Sequence, residues 1–170
     1  MIFEGEYING KKNGIIKEFN KYGLLIFEGE YLNDKKNGNI KEFDKDTGKL
    51  LIEGEYLNDE KNGIMKEYNG YGKLIFEGEY LKGQKNGKGK EYHNNELIFE
   101  GEYLNNKRWN GKGKEYNCDK LIYEGEYSNG ERIGKVKITT KNGTILSDGK
   151  YGEYIDGKWN SKIEKYFKKD

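Results

Sequence analysis

Apolar and polar residues alternate one by one through short runs of this chain. In residues 25–32, Leu25, Phe27, Gly29 and Tyr31 fall on one side while Ile26, Glu28, Glu30 and Leu32 fall on the other. A period of two predicts a β-strand, and the run is too short for a typical helix. The same alternation returns along the chain, with Glu-Gly-Glu-Tyr beginning at residues 4, 28, 53, 77, 100 and 124. A second alternating run follows each of these, ending in Lys-Glu-Phe at 17 and 41, in Lys-Glu-Tyr at 66, 90 and 114, and in the decayed Lys-Ile-Thr at 137. Self-similarity at a fixed period marks a repeat architecture. Each unit predicts a strand, a Gly/Asn loop, a second strand and then a shorter turn into the next unit. The fold expected is all-β: an elongated, single-layer antiparallel sheet of about seven consecutive β-hairpins, solenoid-like, with an irregular last repeat. Residues 1–170 form a single array, with units near 2–24, 25–49, 50–73, 74–96, 97–120, 121–144 and 145–170. In the last unit either Tyr151 or Tyr154 takes the place of the motif Tyr, and three extra residues need a bulge or a longer loop.

Stacking the units turns each strand position into a row. One row holds Phe3, Phe27, Ile52, Phe76, Phe99 and Tyr123, and another holds Tyr7, Tyr31, Tyr56, Tyr80, Tyr103 and Tyr127. Glycines run between them, so the expectation is an aromatic strip over a glycine floor. No helix or second sheet is available to cover it, which predicts a strip that is partly exposed or occupied by a partner. The second strands leave two registers open. The favoured one sets Ile16, Ile40, Met65, Gly89, Gly113 and Val136 beside the strip, because Lys17 and Lys41 then oppose the Glu rows as cross-strand pairs.

Composition changes the picture in one respect. Only 33% of residues are hydrophobic and 36% are charged, yet 15 tyrosines are present, so the polarity belongs to a folded chain with a thin core. Lys plus Arg (31) and Asp plus Glu (30) nearly cancel, which argues against a nucleic-acid partner held by bulk charge. A single cysteine, Cys118, allows no internal disulfide. No membrane span or signal segment is evident, and a cytoplasmic location, with a membrane or cytoskeletal periphery as its variant, is the expectation.

The units resemble the MORN repeat. The matching stretches are Phe-Glu-Gly-Glu-Tyr at 3–7, 27–31, 76–80 and 99–103, Tyr-Glu-Gly-Glu-Tyr at 123–127 and Ile-Glu-Gly-Glu-Tyr at 52–56. The Gly-x-Gly that follows is complete at Gly87/Gly89 and Gly111/Gly113; elsewhere Ile16, Ile40, Met65 and Val136 replace its second glycine. In this the chain looks like the variant class found in bacterial, protist and viral proteins. The resemblance implies an antiparallel sheet of successive hairpins with roles in scaffolding, protein binding and self-association, and membrane or phosphoinositide binding has been proposed for the family. It implies no enzymatic activity outside separate domains.

The apparent catalytic motifs have plainer readings. The pair Glu100 and Glu102 recurs in every unit, and one acid/base site would not be copied six times, so it reads as a solvated face. The Gly111-Lys112-Gly113-Lys114 stretch runs into a strand instead of opening a helix, so it reads as a turn and not a phosphate cradle. His93, the sole histidine, and Cys118 read as turn residues. No catalytic, cofactor or metal site is expected. The expected function is a non-enzymatic scaffold that takes a peptide or helix on Phe27, Tyr31, Tyr56, Phe76, Tyr80, Phe99, Tyr103 and Tyr127, or pairs with another copy at the N-terminal sheet edge. The alternative is a peripheral membrane module whose hairpin tips present a basic edge of Lys12, Lys36, Lys61, Lys85, Arg108 and Arg132. Trp109, beside an inserted residue in the fifth unit, is the expected place of a local contact.

Overall fold

The computed structural model describes residues 2–117, 120–139, 145–155 and 158–161. Cys118 and the charged C-terminal segment 162–170 lie outside the described residues. Among the described residues all regular structure is strand, and fourteen strands form one open sheet in chain order. The odd strands are β1 (Ile2–Ile8), β3 (Leu25–Leu32), β5 (Leu50–Leu57), β7 (Leu74–Leu81), β9 (Glu96–Leu104), β11 (Lys120–Ser128) and β13 (Ile145–Ile155). The even strands are β2 (Lys11–Phe19), β4 (Lys35–Phe43), β6 (Glu60–Tyr68), β8 (Gln84–His93), β10 (Lys107–Asn117), β12 (Glu131–Thr139) and β14 (Lys158–Ser161). Every neighbouring pair is antiparallel, the arrangement that short hairpin connections permit.

Local chemistry places the turns differently from the sequence expectation. The tight connection lies inside each of the first six units, at Asn9-Gly10, Asn33-Asp34, Asn58-Asp59, Lys82-Gly83, Asn105-Asn106 and Asn129-Gly130, and all of these residues have positive φ. Two left-handed residues define the hairpin turn whose twist matches the strands it joins, and Asn, Asp and Gly adopt it most readily. The connections between the first units are the longer ones, such as residues 20–24 and 69–73. There the side-chain oxygen of Asn20 accepts the N–H groups of Tyr22 (2.8 Å) and Leu24 (3.0 Å), and Asn69 does the same for Tyr71 (2.9 Å) and Lys73 (3.1 Å).

The Asn-Gly pairs thought to belong to the loops are inside the even strands. Between Tyr31↔Lys36 and Gly29↔Ile40 the chain of β4 takes four steps while β3 takes two, so Asn37, Gly38 and Asn39 bulge opposite Glu30. Gly38 has φ 102°, a backbone conformation that side-chain-bearing residues rarely adopt, so the bulge favours glycine there. The irregular last unit is settled by pairing as well. Tyr154 opposes Trp159 across the β13–β14 hairpin, as Tyr7 opposes Lys12, so Tyr154 is the motif residue. The extra residues are absorbed as a bulge in β13, between Glu153 and Asp148.

The favoured second-strand register is the one observed. Ile16 opposes Gly29, Ile40 opposes Gly54 and Met65 opposes Gly78, while Lys17 opposes Glu28 with Nζ 3.2 Å from the carboxylate. The glycine row exists because the strands leave no room for a Cβ. At Gly78 it would meet the Gly89 Cα and the Lys88 carbonyl oxygen, each at 2.6 Å. Over this floor the rings pack into a continuous cluster with Ile16, Ile40 and Met65. Phe76 meets Tyr80 in its own unit (centroids 5.7 Å apart) and Tyr103 in the next (5.4 Å), both edge-on, the geometry favoured by aromatic quadrupoles. The core of this single-layer sheet is therefore one of its own faces.

Candidate interaction faces

Burial is the first correction to the site expected from the sequence. Phe27, Tyr56, Phe76, Tyr80, Phe99 and Tyr103 are buried, with Phe76 and Phe99 only 1% exposed, and Tyr31 and Tyr127 are half-buried. The strip is not an exposed platform. Its rings lie along the sheet and cover one another, which a row of large side chains separated by glycines allows without a second layer.

The basic residues complete this cover. Fixing the tight turn at 9–10 puts Lys12 opposite Tyr7, and the same pairing recurs for Lys36, Lys61, Lys85, Arg108 and Arg132 opposite Tyr31, Tyr56, Tyr80, Tyr103 and Tyr127. These six residues therefore sit within strands on the aromatic face, not at free hairpin tips. Their long stems run over the rings, with Lys85 Nζ 3.7 Å from the Phe76 centroid and the Arg108 guanidinium 4.8 Å from that of Phe99. Their charges meet the glutamates of the Lys-Glu-aromatic motif, whose role the sequence reading missed. Lys12 pairs with Glu18, Lys36 with Glu42 and Lys61 with Glu67, the last two at 2.5 Å, all within one strand. Arg108 and Arg132 reach back a whole unit, to Glu91 and Glu115. Lys85 marks the changeover, pointing back to Glu67 at 3.6 Å.

Tyrosine hydroxyls bind into the same ladder. Tyr80 donates to Glu67 at 2.8 Å and Tyr127 donates to Glu115 at 2.5 Å. Burial alone would raise the pKa of Glu67. The hydrogen bonds from Lys61 and Tyr80 and the charges of Lys61 and Lys85 outweigh it and hold the carboxyl below its ordinary range. Glu115 is lowered likewise, burial being overcome by hydrogen bonds from Arg132 and Tyr127. The partner Tyr80 is pushed well above the ordinary phenol range by burial, then by its bond to Glu67. Parity from the tight turn was the signal that could have found this ladder.

Trp109 makes its contact inside the molecule. The inserted residue shrinks the bulge of β10 to one step, so Gly111 opposes Gly101 and Lys112 takes the place opposite Glu100. Lys114 is carried along the strand and bonds Glu96 at 2.5 Å. The Trp109 carbonyl accepts the N–H of Gly130 at 2.9 Å, and a Cβ on Gly130 would sit 3.3 Å from the indole ring. The tryptophan thus buttresses the tip of the next hairpin. His93, read as a turn residue, ends β8 and stacks on the Tyr116 ring with centroids 5.4 Å apart.

The reverse face is the accessible one. It carries the two glutamates of each of the first six units, the lysines that oppose them, and exposed aliphatic residues including Ile15, Ile64, Leu32, Leu57 and Leu81. Three hollows of about 570, 430 and 480 Å³ follow one another along it. Ile64 lines both the first and the second; Glu100 lines both the second and the third. Each is floored by bare backbone at glycines such as Gly54, Gly78 and Gly101 and walled by Glu and Lys. Among the described residues no cluster of three or more His, Cys, Asp or Glu could hold a metal ion. No helix among them is long and apolar enough to cross a membrane.

An open sheet of tandem hairpins with a self-covered aromatic face defines a class of repeat protein. A family model described as the MORN repeat matches residues 3–15, 27–39, 76–96 and 123–144, so the chain carries MORN repeats at these four segments. The stretches between the matched segments include the third unit, where Ile52 replaces Phe, and the fifth, which carries Trp109; both keep their hairpins. A comparison with curated proteins finds no match. MORN repeats commonly serve as protein- or membrane-interaction modules and are generally non-enzymatic scaffolds.

Proposed function

We propose that this protein is a non-enzymatic interaction scaffold that receives a protein segment on its glutamate- and lysine-lined face. The observation that carries this reading is the division of labour between the faces. The aromatic face is consumed by the protein's own core, whereas the reverse face keeps three hollows in a row together with exposed aliphatic side chains. Concave sites with apolar contact area and a few fixed polar groups are where ligands and partner segments are held. The reading moves the binding role from Tyr80 and Tyr103, which serve stability, to Ile64 and its neighbours.

Ile64 is 57% exposed, so Ile64→Arg leaves the core untouched while placing a bulky cation between two hollows. Affinity capture from cell extract with wild type and this variant tests the reading. Proteins enriched by the wild type should be lost at least about tenfold with Ile64→Arg at an unchanged melting temperature. Equal enrichment by both would rule this face out as the site.

A further inference from the structure

The two glutamate rows of the open face are not equivalent. One row is partnered: Lys17 lies 3.2 Å from Glu28, Lys66 3.6 Å from Glu53 and Lys90 3.3 Å from Glu100, while Glu77 accepts the Tyr92 hydroxyl at 2.7 Å. In the other row, Glu30, Glu55 and Glu79 have no cation within 4.0 Å among the described residues. They sit over the bulges instead, Glu30 against Gly38, Glu55 against Gly63 and Glu79 against Gly87.

What stands across from this second row changes along the sheet. Ile15 opposes Glu30, Asn39 opposes Glu55 and Ile64 opposes Glu79, but Lys88 opposes Glu102 and Lys112 opposes Glu126. The face from β2 to β7 therefore combines unneutralised carboxylates with the exposed Ile15 and Ile64 and a flanking row of Leu32, Leu57 and Leu81. Beyond β8 a lysine stands across from the same positions, and Lys112 lies 4.0 Å from Glu126.

Resting on the function proposed above, we infer that the β2–β7 half of this face binds a polyproline-like protein segment with a basic side chain at every third residue and aliphatic residues between. The sign follows from charge complementarity with Glu30, Glu55 and Glu79, which also repels acidic segments. The spacing follows from the sheet. Equivalent residues two strands apart are about 9.5 Å from one another, and a polyproline-like chain lying across the strands, with three residues per turn at about 3.1 Å each, returns every third side chain to the same side after about 9.3 Å. One turn then spans one unit, so basic residues meet the three carboxylates in turn while an aliphatic residue between them reaches Ile15, Ile64 or the leucines.

The test uses fluorescence anisotropy with three labelled synthetic peptides of equal length on the full chain. The first has Lys at every third position with Leu and Ser between, the second has the same composition with its lysines clustered at one end, and the third replaces every Lys by Glu. The spaced Lys peptide should bind at least about tenfold more tightly than either of the others. Glu30→Gln/Glu55→Gln/Glu79→Gln should weaken it by about tenfold at an unchanged melting temperature, whereas Lys112→Gln in the other half should not. Equal affinity for spaced and clustered peptides, or a triple variant that binds like wild type, overturns the inference. Failure of the underlying function looks different: Ile64→Arg would then bind every peptide as wild type does. Tighter binding of the Glu peptide, sensitive to Ile64→Arg, keeps the face as a site but overturns its charge preference.

Discussion

Lys–Glu pairs occur on both faces of the sheet, yet they do different work. On the aromatic face Lys61 and Glu67 are about one-fifth exposed, with side-chain accessibilities of 22% and 18%, and Tyr80 donates a hydrogen bond to the same carboxylate. On the reverse face Lys90 and Glu100 retain 43% and 58% of theirs at a separation of 3.3 Å. Identical charges thus lid a core on one side and stand in water on the other. Neighbouring residues of one strand divide the same way: Phe76 is 1% exposed and Ile75 38%. A single layer can be stable when one face supplies the apolar burial and its charged residues close over it.

The largest expected difference between the faces is in apolar burial. Phe76→Ala should cost about 3–5 kcal/mol in urea unfolding, because the ring touches Tyr80, Tyr103 and the Lys85 stem. The adjacent Ile75→Ala should cost less than about 1 kcal/mol. Equal costs would mean that the two faces are covered alike.

A smaller contrast is expected for charge. Glu91→Gln leaves the Arg108 guanidinium, whose side chain is 17% exposed, without its carboxylate, and should cost about 2 kcal/mol. Glu100→Gln, against an exposed lysine, should cost less than about 0.5 kcal/mol. A cost for Glu91→Gln as small as that for Glu100→Gln would show that the aromatic-face ladder is solvated.

The smallest effect should be read from pH. Glu67 and Glu115 are held below the ordinary carboxylate range in the folded state, so the unfolded chain binds their protons first. Their contribution is present above the unfolded value of about 4.3 and is lost as pH falls through the lower folded values. Melting temperature should therefore drop below about pH 4, and Glu67→Gln should flatten that drop. A profile unaffected by Glu67→Gln would remove this carboxylate from the acid response.

Much of the architecture was legible. Strict alternation in Leu-Ile-Phe-Glu-Gly-Glu-Tyr-Leu and its recurrence named the strands, their pairing in chain order and the rows. The register of Ile16 against Gly29 followed from charge matching between Lys17 and Glu28. The candidate site was less legible, because Lys12 and its equivalents stand close to the turn in sequence. Taking Asn13-Gly14 as loop residues placed these lysines at the tip; the actual turn at Asn9-Gly10 places them over the rings. Asn-Gly is a signal for both a left-handed turn and a bulge, and only strand pairing tells which.

Sequence alone determined everything that depends on periodicity: strand after strand, alternate faces, glycine between aromatic rows. These are local properties, set by the two-residue repeat of a pleated backbone. Which face is closed and which is open was decided only in three dimensions. It depends on Phe76 leaning onto Tyr103 of the next unit and on Arg108 reaching back to Glu91, contacts between residues far apart in the chain. Alternation assigns side chains to faces, but burial is a property of the neighbours that the assembled sheet brings to each.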